Sequence, residues 1–175
     1  MHDTDLTDAL LAVRCQLGEP TAWEDLVHRW HPRLWAFISR MTADQARAED
    51  VLQTVWLRVI RSMVRLREPE RLAAWLYGIA RATVADQFRE LYRTPPTEEF
   101  LDVSHTDDDT DQFTAADAVE TGLRHLHPID REAVVLHYFE DLPVAAVAEI
   151  CGVPPGTIKS RLHRARRLMR ETLTD

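Results

Sequence analysis

The sequence is poor in several features that mark common protein classes. Lysine occurs once, at Lys159, and the 175 residues include only five glycines and two cysteines. No apolar run approaches the roughly 20 residues of a membrane span, and the acidic N-terminus is unlike a signal peptide. The sequence therefore predicts a cytoplasmic protein. In a reducing compartment, Cys15 and Cys151 are expected to be buried free thiols rather than a disulfide.

Motifs that carry catalysis or bind cofactors are also missing. The sequence has no glycine-rich phosphate loop and no nucleophile elbow. The pairs His28/His31 and His125/His127 have no second Cys or His pair at structural-zinc spacing, so they are expected to be ordinary surface or core histidines. We therefore expect no enzymatic activity, no cofactor and no metal site.

Acidic residues are concentrated in one segment. The net charge is −8, and residues 94–120 contain nine acids with no Lys or Arg. Residues 94–114 have too few apolar groups to fold alone, which predicts a flexible, self-repelling linker. The length suits one or two small domains, and we place them at residues 1–93 and 115–175.

Apolar residues recur at helical spacing on both sides of this linker, and no strand-like alternation of useful length is present. The pattern predicts an all-α protein of two small helical domains. Thr21 and Glu24 have the spacing of a capping box, and Pro32 predicts a kink or a new helix. The expected helices cover 8–17, 22–41, 42–66, 71–93, 115–125 and 129–139.

Residues 142–170 have the pattern of a helix-turn-helix. Apolar residues from Val144 to Ile150 form one short helix, and Gly152 can adopt the left-handed conformation that ends it. A second helix is expected from about Pro155, where proline's missing N–H is tolerated. Its apolar seam lies beside a cationic side formed by Lys159, Arg161, Arg164, Arg166, Arg167 and Arg170.

An ordinary amphipathic helix with a solvated basic face is the alternative interpretation of this stretch. Two features favour DNA binding instead. The short helix, glycine turn and long helix come in the order of a helix-turn-helix, whose second helix enters the major groove. The second helix also carries no acid between Gly156 and Arg170, whereas solvated helices usually mix both signs to gain i,i+4 pairs.

Three motifs in order carry a resemblance to a known family. They are AEDVLQTVW at residues 48–56, AWLYGIAR at residues 74–81 with Asp86 following, and GTIKSRLHRAR at residues 156–166. Residues 21–93 resemble the promoter-melting domain of bacterial sigma factors, and residues 121–173 resemble their helix-turn-helix domain. The short connection between them is similar to that of the extracytoplasmic-function (ECF) group.

The resemblance implies three sets of contacts and no chemistry by the protein itself. The surface for the clamp helices of core RNA polymerase would comprise Glu49, Asp50, Gln53 and Trp56. The promoter −10 element would be read by Trp75, Tyr77, Arg81, Asp86, Arg89 and Arg93. The −35 element would be bound by Thr157, Lys159, Ser160, Arg161, Arg164 and Arg167. The polymerase flap and an inhibitory anti-sigma factor are the other partners implied.

Two of these assignments have alternatives. Trp75 and Tyr77 lie beside arginines, where rings can stack on unpaired bases, but such rings more often belong to a core. The whole chain could instead be a polymerase-independent helix-turn-helix regulator, with residues 21–93 as a dimerisation or ligand module. The outward polar set Glu49, Asp50 and Gln53 favours polymerase binding, because a plain helical bundle has no need of it.

Overall fold

The protein was analysed as a computed structural model that describes residues 3–42, 44–93 and 115–174. Within these ranges the secondary structure is entirely helical, which confirms the predicted all-α class. The predicted linker, residues 94–114, lies outside the described residues. The α-helices are α1 (Asp3–Gln16), α2 (Pro20–Met41), α3 (Gln45–Ser62), α4 (Leu72–Arg93), α5 (Ala115–His125), α6 (Pro128–Val134), α7 (Val144–Cys151) and α8 (Pro155–Thr174). None of these described helices is long and apolar enough to span a membrane.

The first four helices form an N-terminal unit built around aromatic side chains. Trp30 and Phe37 of α2 are fully buried and contact the ring of Tyr77 from α4 edge-on, at centroid distances of 5.8 and 5.6 Å. The Trp30 indole N–H donates to the Asp8 carboxylate at 3.3 Å, and Arg29 also donates to it at 2.6 Å. The buried acid is thus paired, as burial of a charge requires.

One local prediction for α2 was wrong. The helix begins at Pro20 without a side-chain cap, and the Thr21 hydroxyl accepts a hydrogen bond from Arg14 at 3.3 Å instead of forming a capping box. Of the two alternatives predicted at Pro32, a new helix does not form, because α2 continues through Pro32 to Met41, and a kink stays a prediction. Pro32 and His28 are both exposed, so water can satisfy the His28 carbonyl that the proline leaves without a donor.

Helical periodicity also predicts Ile60 as a core residue of α3, and this prediction was wrong, because an apolar residue need not face inward. On α1, Leu10 and Leu17 are 58% and 74% exposed, while Ala12 and Cys15 are buried. On α3, Ile60 is 56% exposed. Helix α3 was expected over 42–66 but covers Gln45–Ser62, and its N-cap is Asp44, whose carboxylate accepts from the backbone N–H of Ala46 at 3.0 Å.

The last four helices form the helix-turn-helix unit. The helix expected over 129–139 is composite: α6 passes into a single π-helical turn, Val135–Phe139. Gly152 ends α7 with φ +66°, the left-handed conformation that the sequence predicted there. The seam of α8 is formed by Ile158, Leu162 and Ala165, all buried. The predicted helix-turn-helix is therefore present.

The two units pack against each other and share one continuous apolar core. Helix α4 lies against α7, and α2 contacts α5, α6 and the π-helical turn. Ion pairs across the boundary join arginines of the first unit to acids of the second. They are Arg33–Glu140 (3.7 Å), Arg40–Glu120 (2.9 Å), Arg81–Glu132 (2.7 Å) and Arg71–Glu149. The sequence predicted both units but gave no sign of this docking.

Candidate functional site

An open apolar groove of about 720 Å³ lies between α2 and α3. Its walls include Trp35, Trp56, Leu57 and Ile60, and the last two are 47% and 56% exposed. The His31 ring is stacked on the Trp56 ring, with the ring centroids 6.4 Å apart. The indole N–H of Trp56 has no acceptor among the described residues. Apolar area left open in this way is typical of a protein-binding surface.

The groove contains three of the four residues predicted to face polymerase. Glu49, Gln53 and Trp56 line it, whereas Asp50 is exposed beside it. Sequence reasoning missed Leu57 and assigned Ile60 to the core. The sequence could have indicated this exposed apolar surface, because α3 carries more apolar residues than the single stripe of a core-facing helix can bury.

Tyr77, a predicted −10 contact, is fully buried between the two units. Its hydroxyl donates a hydrogen bond to the Glu140 carboxylate, which is also paired with Arg33 at 3.7 Å. Burial, and then the charge of Glu140, raises the pKa of Tyr77 well above its ordinary value, so the phenol stays protonated as the donor. DNA cannot reach this ring while the units are docked.

Arg81 of α4 is also engaged across the boundary. Its Nε lies 2.7 Å from Glu132 Oε1, although the N–H is not aligned for a hydrogen bond. The other oxygen of Glu132 accepts from the Cys151 thiol at 3.4 Å. Burial, helped by Glu132, raises the pKa of Cys151 to about 12. Both Cys151 and Cys15 are free and buried, as the sequence predicted.

The remaining predicted −10 residues differ in accessibility. Trp75 is half-buried in a crevice that it shares with Glu149 and Ile150 of α7. Asp86 accepts from Arg58 of α3 at 2.8 Å and from Arg89 at 2.6 Å, and Arg89 is 71% exposed. The side chain of Arg93 lies outside the described residues. Only the later turns of α4 therefore present an open polar side.

The outward face of α8 is open and cationic. Lys159, Ser160 and Arg167 are exposed on it, as expected of −35 contacts, while Thr157 is half-buried. His163, which sequence reasoning did not single out, is exposed on the same face. Helical spacing alone places His163 between Lys159 and Arg167, so the signal was present in the sequence.

Two arginines predicted to enter the major groove are engaged by the protein itself. Nη1 of Arg161 is buried, with no hydrogen-bond partner among the described residues, and its charge acts on the Cys151 thiol. Arg164 donates Nε and Nη2 to the carboxylate of Asp130, at 2.7 and 2.5 Å, and Asp130 is 1% exposed. This pairing raises the pKa of Arg164. Arg161 is half-buried with its Nη1 enclosed, and Arg164 keeps only its outer donors for a ligand.

The described residues contain no group of three or more His, Cys, Asp or Glu able to hold a metal ion. The arrangement thus offers an apolar groove for a protein and a cationic helix for an anion.

Comparison with known proteins supports two sigma-factor regions. Residues 26–94 match the family model of sigma-70 region 2, and residues 116–169 match that of sigma-70 region 4. The sigma factor CarQ of Myxococcus xanthus is 34% identical, with 89% of this chain and 91% of that protein covered. The ECF sigma factor SigC of Mycobacterium tuberculosis is 33% identical over 89% of this chain and 85% of its own length.

Solved structures agree with the fold. The sigma factor RpoE of Bartonella quintana, in complex with the anti-sigma factor NepR, superposes with a TM-score of 0.76 at 25% identity, covering 87% of this chain and 96% of that one. CnrH, solved with the cytosolic domain of CnrY, gives 0.71 at 20% identity over 95% and 97% of the two chains. Sigma factors are transcription initiation factors and not enzymes. The chain therefore belongs to the ECF group of the sigma-70 family of RNA polymerase sigma factors.

Proposed function

We propose that this chain binds core RNA polymerase and directs initiation at promoters whose −10 and −35 elements it recognises. The observation that carries the proposal is the presence of two different open surfaces on one chain. One is the apolar groove between α2 and α3, and the other is the cationic outer face of α8. A polymerase-independent regulator needs the second surface, and it would use the first only if residues 21–93 dimerise or bind a ligand.

The groove is the docking surface for polymerase in this proposal. Its exposed apolar walls, Leu57 and Ile60, would be covered by a partner helix, and Glu49, Asp50 and Gln53 would meet the polar rim of that contact. The groove lies away from the boundary between the units. Polymerase can therefore bind it while the units are still docked.

The −10 element is assigned to α4. The opened strand would stack on Trp75 and Tyr77 and pair its phosphates with Arg81, Arg89 and Arg93, which are the groups that bind unpaired strands. Because Tyr77 and Arg81 are engaged by Glu140 and Glu132, the second unit must leave α4 before this contact forms. Binding free energy then favours the melted strand.

Regulation by an anti-sigma factor is part of the proposal. RpoE and CnrH were each solved with a protein partner, an anti-sigma factor in the case of RpoE. A partner of the same kind would cover the groove and stabilise the docked units. We place the protein in the cytoplasm, where polymerase and promoter DNA are found, with no metal or other cofactor.

Run-off transcription tests the proposal. Purified chain is added to core polymerase from its own host, with a library of promoter fragments as template. Transcripts from a defined subset of fragments, absent with core enzyme alone, are expected. Sequence-specific binding of the chain to DNA with no transcript from any fragment would support the polymerase-independent regulator instead.

A pair of substitutions on α8 tests which side reads the −35 element. Lys159→Ala is expected to weaken binding of the selected −35 duplex about tenfold, the size of one lost base or phosphate contact. Arg161→Ala should change it less than about twofold, because Nη1 of this half-buried side chain is enclosed by the protein. Fluorescence anisotropy measures both. A larger loss of affinity for Arg161→Ala, with an unchanged circular-dichroism spectrum, would show that Arg161 contacts the −35 element.

A further inference from the structure

We propose that His137 is a protonation-dependent phosphate contact of the helix-turn-helix unit, so that promoter DNA binds more tightly as pH falls. The proposal rests on the assignment of α8 to −35 DNA. It adds a residue outside α8, and a dependence on pH, that this assignment does not contain.

The first observation is a concavity between the π-helical turn and α8. It has a volume of about 590 Å³ and lies on the open side of the recognition helix. Its polar lining consists of His137, Tyr138, Lys159, Ser160, His163 and Arg166, with Val144 and Leu162 completing it. No carboxylate is among these lining residues. A concave surface with hydroxyls and cations, and no acid, suits a phosphate group.

The second observation fixes the tautomer of His137. Its Nδ1 lies 2.8 Å from the carbonyl oxygen of Leu142. A carbonyl can only accept a hydrogen bond, so Nδ1 carries the proton whether the ring is neutral or charged. Nε2 is therefore a lone-pair acceptor in the neutral ring and a donor only in the protonated ring. A phosphate oxygen placed at Nε2 is repelled by the lone pair of the neutral ring and bound by the N–H of the protonated ring.

The third observation concerns the charges around this ring. Nearby acids on the same unit are engaged elsewhere: Asp130 by Arg164, Glu132 by Arg81, Glu140 by Tyr77, and Glu149 of α7 by Arg71. From α2, Arg33 is paired with Glu140, and Arg40 lies 4.3 Å over the Phe139 ring. Asp141, in a left-handed conformation with φ +54°, is exposed on the following turn.

The groups that share the concavity with His137 are Tyr138, whose ring is 4.7 Å away, and the basic residues Lys159, His163 and Arg166. A phosphate bound among these cations is also stabilised by the positive charge of a protonated His137 ring, which donates from Nε2. DNA binding therefore takes up a proton. The gain in affinity is present at low pH and is lost as pH rises through the range in which histidines titrate.

The test measures binding of a fluorescent duplex of about 30 base pairs and random sequence to the full chain, at about pH 6 and about pH 8 and constant ionic strength. Random sequence suffices because a phosphate contact carries no base information. Wild-type chain is expected to bind about tenfold more tightly at the lower pH, as one charge-assisted contact implies. His137→Gln should bind weakly at both values.

Two further variants sharpen the result. His137→Arg carries a permanent charge and should bind at about pH 8 as tightly as wild type does at about pH 6. It also guards against misfolding of the glutamine variant. The matched control is His28→Gln, at an exposed histidine of α2 that does not line the concavity, and this variant should keep the wild-type pH dependence.

Several outcomes would overturn the inference and leave the proposed function standing. They are equal wild-type affinity at both pH values, pH dependence that survives His137→Gln, or pH dependence removed by His163→Gln alone. Inorganic phosphate that competes much better than chloride at matched ionic strength would make the concavity a small-anion site. Absence of DNA binding by every variant at both pH values would overturn the −35 assignment itself.

Discussion

Replacing Leu57 or Ile60 by glutamate is expected to weaken binding to core polymerase by at least about a hundredfold. Each substitution removes apolar area that the partner covers and places a charge in its stead. Folding should be unaffected, because both side chains are about half exposed in the free chain. The measurement is co-migration or surface-based binding of purified chain to core enzyme, with thermal unfolding recorded for each variant.

Val64→Glu is the matched control for this prediction. Val64 is apolar and 74% exposed and follows the C-terminal end of α3, but it is not part of the groove. Its replacement should leave polymerase binding within about twofold of wild type. Equal losses for Val64→Glu and Ile60→Glu would mean that the groove is not the docking surface. Undiminished binding by both groove variants would have the same meaning.

Replacing Glu140 by alanine is expected to separate the two units. The substitution leaves the buried Tyr77 hydroxyl without its acceptor and Arg33 without its pair, a loss of about 3 kcal/mol for a buried charged contact. We expect a larger radius of gyration and two unfolding transitions in place of one. A single-stranded −10 oligonucleotide should also bind more tightly, because Tyr77 and Arg81 become accessible.

Glu149→Ala is the comparison for this second prediction. The Arg71–Glu149 pair also joins the units, but both side chains are more than 40% exposed, and exposed pairs contribute little. The radius of gyration of this variant should match that of wild type. If Glu140→Ala also stays compact and binds the oligonucleotide no better, then the Glu140 contact does not hold the units together.

Local chemistry is the part of this structure that the sequence predicted well. Gly152 ends α7 in the left-handed conformation, and α8 begins at Pro155. Both features depend on residues that are neighbours along the chain. The buried seam of α8 also followed directly from helical periodicity. The capping box at Thr21 failed because α2 begins at Pro20, so that Thr21 lies inside the helix and not at its N-cap position.

Residues whose environment is made by distant segments were not predictable in this way. Periodicity shows which face of α3 is apolar, but it does not show whether a neighbouring helix covers that face. Ile60 was therefore predicted to be a core residue, although it is exposed. Arg161 looked like a groove-reading arginine, yet Cys151 and Glu132 lie on its side of α8. His163, on the outer face of α8, is exposed, whereas Arg161 is half-buried.

The amino-acid sequence by itself determined two helical units, the helix-turn-helix and the family, because these depend on short-range periodicity, turn residues and local motifs. Tertiary structure alone decided that the units dock, that Tyr77 is enclosed by Glu140, and that the groove beside Trp56 stays open. The physical reason is separation along the chain. Tyr77 and Glu140 are 63 residues apart, and pairing across such a distance is selected by the packing of whole helices rather than by any local pattern.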